Sequence, residues 1–275
     1  MVQDKGCGLT LIAILIGTLA AGIGSVWLAA VLSFGALARY TQHMLSLAAG
    51  ALLATAFMHL LPEAFESQAS AHDLFMTLLF GVVFFFLLDK AELWHHGHEH
   101  HHAGEAVGHG HAHAHGHAHP TGSAPVSGAW AVLAGDSVHC FGDGVLIASA
   151  FMADMRLGVI ASLAVLAHEV PHHMGDLMVL RTGSANKQAA IVKVSLAGAV
   201  TAIGGLTGYW LVDQLQDYLP YFLVIASSSF MYVALADLIP QLQKRLTARE
   251  TAAQIAWLAA GIFLVTAVSG MAHGH

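Results

Sequence analysis

Charge is scarce in this chain. Only 10% of its 275 residues are Asp, Glu, Lys or Arg, where soluble domains carry about 25%. That deficit, beside 56% apolar residues, excludes a soluble globular protein. Cysteine is scarcer still: Cys7 and Cys140 stand alone, too few for a disulfide framework. The apolar stretches also lack the two-residue alternation of membrane barrel strands. No basic excess is present, the formal net charge being −7, so the expected partners include no nucleic acid.

What the chain has instead is long hydrophobic runs, at 9–37, 43–64, 73–94, 128–153, 156–180, 188–212, 219–243 and 251–271. Each is near the roughly 20 residues that a helix needs to cross about 30 Å of hydrocarbon. Backbone groups in lipid are satisfied only in helices and closed barrels. The expected fold is therefore an all-α polytopic membrane protein of eight transmembrane helices, a single domain over 1–275 embedded in the lipid bilayer. The first run exceeds the apolar core of a secretory signal, and Lys5 before it is offset by Asp4, so it is read as a helix.

Basic residues orient the bundle. With the N-terminus outside, Arg39, Lys90, Arg181, Lys187, Lys193, Lys244, Arg245 and Arg249 lie inside, and only Lys5 and Arg156 lie outside. The positive-inside rule thus places both termini outside the cytosol, as expected for a bacterial inner (plasma) membrane protein. Outer loops then carry Glu63, Glu66, Asp73, Asp154, Asp213 and Asp217, acids that either draw cations to an outer entrance or are simply solvated.

One segment is of low complexity. Twelve of the 21 histidines fall between His95 and His119, within a 95–127 loop expected to be cytosolic. Alternating His-Gly-His-Ala builds no core, and its imidazoles suit loose binding of a transition metal.

Two polar motifs interrupt the apolar runs: His139-Cys140-Phe-Gly-Asp143 and His168-Glu169-Val-Pro171-His172-His173-Met-Gly-Asp176. Asp143, Glu169 and Asp176 together would cost roughly 8–10 kcal/mol if left uncompensated at mid-bilayer. A divalent cation is the natural compensation. The connection Ala153-Asp154-Met155-Arg156 is short enough to force an antiparallel hairpin. His139 and His168 lie about 14–15 residues from its middle, roughly 20 Å along each helix, so both motifs share one depth. His139 and Asp143 are spaced i,i+4, as are His168 and His172, and Glu169 and His173. Imidazole with carboxylate suits zinc, with iron or manganese as further candidates, and a site lacking a fixed thiolate cage can release its ion. The primary site is expected to be His139, Asp143, His168 and His172, with Glu169 beside them. Pro171 deletes a backbone N–H and is expected to open its helix locally. Protons compete for these ligands, so binding should weaken as pH falls.

Other polar residues carry two readings. His59, in His59-Leu-Leu-Pro62-Glu63, divides between packing and pathway. Asp89, Glu92 and His95, spaced i, i+3 and i+6, suit a solvated helix end ahead of an exit path. Asp136 and Asp176, a turn beyond the motifs, either continue a cation path or bond neighbouring helices. Gly198, Gly204, Gly205 and Gly208 read as close-packing residues.

The two motifs resemble the ZIP (Zrt/Irt-like) metal transporters, in the branch bearing His-Asn-Phe-x-Asp-Gly and His-Glu-x-Pro-His-Glu-x-Gly-Asp. Here these read His139-Cys-Phe-Gly-Asp143-Gly144 and His168-Glu-Val-Pro-His172-His-Met-Gly175-Asp176, joined by His59-Leu-Leu-Pro-Glu63 and Ala236-Asp-Leu-Ile-Pro240. The resemblance implies a 3+2+3 helix arrangement, divalent metal import toward the cytosol, and a binuclear-type centre between helices four and five. Three departures stand out: Cys140 for Asn, His173 for Glu, and Gln241 where an acid often follows the proline. Cys140 and His173 are softer donors, which leaves the second metal position open. A homodimer is one oligomeric option. Two rival functions share these residues. His168-Glu169-Val-Pro-His172 matches the His-Glu-x-x-His motif of zinc proteases, in which Glu169 would be the general base. Metal efflux would keep the same site and reverse the flux.

Overall fold

The computed structural model describes residues 2–34, 41–97, 126–183, 187–242 and 247–271. Among them all regular structure is helical: α1 (Val2–Leu19), α2 (Ser25–Phe34), α3 (Thr41–Thr55), α4 (Leu61–Phe65), α5 (Ala71–Gly97), α6 (Val126–Ala153), α7 (Met155–Gly183), α8 (Lys187–Gln214), α9 (Leu219–Tyr232), α10 (Ile239–Leu242) and α11 (Ala248–Met271). Most of the His-rich stretch, 98–125, lies outside the described residues. So do the side chains of Asp89, Glu92, His95 and Gln241.

Six of the apolar segments form helices long and apolar enough to cross a membrane: Gly8–Leu32, Thr41–Phe65, Ala71–Leu88, Gln188–Gln214, Gln216–Ala236 and Ala248–Ser269. Helices α6 and α7, which carry the polar motifs, are not in that set. The polarity of the molecule is inverted relative to a soluble protein. Phe80, Val31, Leu196 and Phe263 are each at least two-thirds exposed, while Asp136, Asp143, His168, Glu169 and His173 are buried. Hydrocarbon rather than water is the solvent that such a surface fits. The chain is an integral membrane protein.

Three π-helical turns link paired helices: Ala20–Gly24 between α1 and α2, Ala56–Leu60 between α3 and α4, and Val233–Leu238 between α9 and α10. The last two have a common cause. Pro62 and Pro240 lack the N–H that would continue an α-helical ladder. One residue earlier the backbone has already stepped to i−5 bonding, from Leu61 N–H to the Ala56 carbonyl and from Ile239 N–H to the Ala234 carbonyl. Turns of this kind often sit at functional sites.

Helix α6 lies along α8, α3 along α11, and α5 along α9. The glycines singled out above do pack closely. A Cβ on Gly144 would collide with the Thr201 carbonyl, and one on Gly204 with the Phe141 carbonyl, so α6 and α8 meet backbone to backbone. Gly22 and Gly198 make the same contact between the first π turn and α8. Against the expected local opening, α7 runs through Pro171 as one continuous helix. Pro171 is buried where α7 is flanked by α2, α3 and α6, and that packing holds the helix despite one lost hydrogen bond.

Candidate metal centre

Helices α6 and α7 are joined only through Asp154 and form an antiparallel hairpin. The Asp154 carboxylate caps α7, accepting from the backbone N–H groups of Arg156 at 2.8 Å and Leu157 at 3.3 Å. The hairpin fixes the depth at which the two motifs face each other.

Three overlapping groups of donor atoms result, and within each group the atoms lie within 4.8 Å of one another. His139, Asp143, His168 and Glu169 form the first. The His168 ring is held in one sense, because its Nδ1 lies 3.3 Å from the Ala164 carbonyl, which can only accept. Nδ1 therefore carries the hydrogen, and the Nε2 lone pair of the neutral ring faces inward. That nitrogen lies 3.2 Å from Asp143 Oδ2, 3.3 Å from Glu169 Oε1 and 3.4 Å from His139 Nε2. His139 Nε2 is itself 3.3 Å from Glu169 Oε1 and 3.8 Å from Asp143 Oδ2. Two imidazole nitrogens and two carboxylates thus converge on one point.

The second group is Asp136, Cys140, Glu169 and His173, all buried. His173 Nε2 lies 3.1 Å from Glu169 Oε2 and 3.5 Å from Asp136 Oδ1. The Cys140 Sγ is 3.7 Å from Asp136 Oδ1 and 3.9 Å from Glu169 Oε2. On its other edge His173 Nδ1 meets the Ser25 hydroxyl of α2 at 2.9 Å. The third group is Asp136, His172 and Asp176.

Asp143 Oδ2, Glu169 Oε1, Asp136 Oδ2, Asp176 Oδ2 and His173 Nε2 are buried without a hydrogen-bond partner. An orphaned buried polar atom costs about 1–3 kcal/mol, and more when charged. Five such atoms aimed into one small region suit a divalent cation, which side chains reach at roughly 2.0–2.2 Å after small rotations.

Every donor singled out from the sequence falls in one of these groups, but their assortment differs from the expected one. His172 does not join His139, Asp143 and His168; Glu169 takes that place. The His172 ring stacks on His139 at 5.5 Å, 15° from parallel, yet its Nε2 faces Asp136 at 3.8 Å and Asp176 at 3.7 Å. Asp136 and Asp176, read from the sequence as path or helix-bonding residues, both fall among the donors, whereas Ser25 as a neighbour of His173 was not singled out. His59 belongs to none of the groups. It lines an open cavity of about 400 Å³ at the hairpin-turn end, with Glu63, Glu66, Asp154 and Arg156. A second, narrow apolar pocket of about 20 Å³ is lined by Ile160, Leu163, Ala167, Leu264 and Val265 among others, and Ile160 lines both.

Residues 7–269 match the family model described as ZIP zinc transporter. The chain is similar to mouse zinc transporter ZIP10, 37% identical over 154 residues, which are 56% of this chain and 18% of that protein. Orangutan (Pongo abelii) zinc transporter ZIP13 is 27% identical over 287 residues, covering 94% of this chain and 79% of that protein. Human zinc transporter ZIP4 is 36% identical over 116 residues, 42% of this chain and 18% of that protein. The chain therefore spans less than a fifth of the mouse and human proteins it matches.

Proposed function

Because the chain belongs to the ZIP zinc transporter family, a family of transporters rather than enzymes, we propose that it moves a divalent transition metal, zinc foremost, toward the cytosol. Iron and manganese are the next candidates for its cargo. The carrying observation is the first donor group, where His168 Nε2 converges with His139 Nε2, Asp143 Oδ2 and Glu169 Oε1. The protease reading of His168-Glu169-x-x-His172 is set aside with the family. It also loses geometric support, since His172 Nε2 faces Asp136 and Asp176.

The architecture that accompanies this reading is eight spans arranged 3+2+3, with α6 and α7 as the central pair and both termini outside. A hydrated cation gathers at the acids of the 400 Å³ cavity, moves along the hairpin when the helices shift, and sheds water onto the first group. The second group, with a thiol and an imidazole, holds a second ion and favours softer ones such as zinc over manganese. The quoted relatives are animal proteins, so they lend nothing to a bacterial inner membrane.

Uptake of radioactive zinc into oriented proteoliposomes tests the reading. His139→Ala and Asp143→Ala should each lower uptake at least about tenfold, since weakening a ligand's surroundings alone costs 10–100-fold in metal affinity. Uptake at the unaltered rate in both variants, or net flux only outward, would sink it.

A further inference from the structure

The third donor group lies beyond the four residues of the first and the softer set of the second, and it is built differently from both. We propose that Asp136, His172 and Asp176 form a third metal station, taking a partly hydrated divalent cation after it leaves the second group. This rests on the transport reading above.

Three observations carry it. His172 Nε2 stands between two carboxylates, 3.8 Å from Asp136 Oδ1 and 3.7 Å from Asp176 Oδ2. The recorded ion-pair partners of both acids, among the described residues, are all histidines. The Asp136 side chain is 1% exposed, and its Oδ2, like Asp176 Oδ2, has no hydrogen-bond partner. Two carboxylates and an imidazole nitrogen facing one another are donors that a divalent ion takes, and its charge offsets theirs.

The groups also overlap in a directed way. Glu169 belongs to the first and second, Asp136 to the second and third. An ion stepping along the hairpin, away from the Asp154 turn, therefore keeps one carboxylate at every step and is never wholly stripped of ligands. Three protein donors leave coordination positions for water, as in zinc sites that exchange their fourth ligand. His172 is the most exposed of the donors, its side chain 38% accessible beside 28% for His139 and 0–3% for His168, Glu169 and His173. The first and third groups are thus the two open ends of the series, with the second enclosed between them.

Cobalt(II) titration of the purified full-length chain, read by d–d absorption, tests this alongside zinc uptake. Asp176→Asn should bind one cobalt equivalent fewer than the unaltered chain, leave those of the first two groups in place, and slow uptake about tenfold. Asp176→Glu, which keeps a carboxylate, should restore both. Slowed uptake with every cobalt equivalent retained would assign Asp176 to packing and overturn the proposal, as would unchanged uptake and binding. Failure of the transport reading is separate, showing as no zinc flux through the unaltered chain.

Independently, the geometry points to Ser25 as a positioning residue for His173, given the second group as a metal position. The Ser25 hydroxyl lies 2.6 Å from the Gly22 carbonyl and 2.9 Å from His173 Nδ1. It has one hydrogen. Donating that hydrogen to Gly22 leaves the oxygen to accept from His173 Nδ1–H, which frees the Nε2 lone pair toward Glu169 and Asp136. A bound metal needs that tautomer, and outer partners of this kind set ring orientation in metal sites. The π turn Ala20–Gly24, immediately before Ser25, sets where the hydroxyl falls.

In 15N spectra of the zinc-bound chain, His173 should carry its hydrogen on Nδ1. Ser25→Ala should weaken zinc at the second group about tenfold and perturb the His173 15N pattern, and Ser25→Thr should restore both. An unchanged His173 signature and affinity in Ser25→Ala would overturn the assignment.

Discussion

Glu169→Ala should abolish zinc uptake, with a larger loss than any donor that serves a single group produces. Glu169 is the one side chain common to the first two groups, approaching His139 and His168 at 3.3 Å with Oε1 and His173 at 3.1 Å with Oε2. Its removal disables two positions at once. Glu169→Gln separates charge from shape: the amide keeps the volume, loses the negative charge, and should cost zinc affinity about 10–100-fold. Stability responds in the same direction. Without metal, Glu169→Gln should melt lower than the unaltered chain, because Glu169 lies 3.1–3.3 Å from His139, His168 and His173 and removing the anion of a buried cluster leaves its partners uncompensated. With saturating zinc it should also gain less, since stabilisation by a ligand grows with its concentration relative to Kd. Melting curves with and without zinc, paired with uptake, check both effects. Uptake by Glu169→Ala within twofold of the unaltered chain would refute the shared-ligand role.

The second large effect concerns the seam between α6 and α8. A side chain at Gly144 has no room, since even a Cβ would collide with the Thr201 carbonyl and crowd the backbone of Gly204 and Gly205. Gly144→Val should destabilise the bundle by about 1–3 kcal/mol or prevent its assembly, the usual result of overpacking. Gly142 is the matched control: two residues away on the same helix, its Cβ would meet nothing within 4 Å. Gly142→Ala should be neutral, or stabilising by up to about 1 kcal/mol through helix propensity. Thermal unfolding in detergent distinguishes them. Equal melting temperatures for the two variants would remove the close seam from consideration.

Helical periodicity located the metal-seeking residues because the hairpin is local. Two helices joined by one residue must lie antiparallel, so distance from the turn measures depth. The same count, taken one step further, places Asp136 and His172 each 18 residues from Asp154, and the structure does bring them together. An i,i+4 spacing on α7 alone suggested instead that His172 shares an ion with His168. That spacing puts two residues on one face but a full turn, about 6 Å, apart along the axis. Glu169 lies 15 residues from Asp154, level with His139, and for that reason replaces His172 in the first group. Ser25 was not legible in this way. Its approach to His173 spans 148 residues and depends on the Gly22–Gly198 contact and a π turn, neither of which has a periodic signature. Pro171, for its part, does not end α7, which continues to Gly183 with α2, α3 and α6 packed against it.

The small apolar pocket between α3, α7 and α11 bears on what surrounds the molecule. At about 20 Å³ it offers space for hardly more than one water, and its lining of Leu163, Ala167, Leu264 and Val265 side chains gives a water nothing to bond. Leu163 and Leu264 are 42% and 49% exposed, so the crevice opens where the molecule faces hydrocarbon. Its natural filler is a lipid chain, which makes the surrounding bilayer part of the packing that holds α11 against the hairpin.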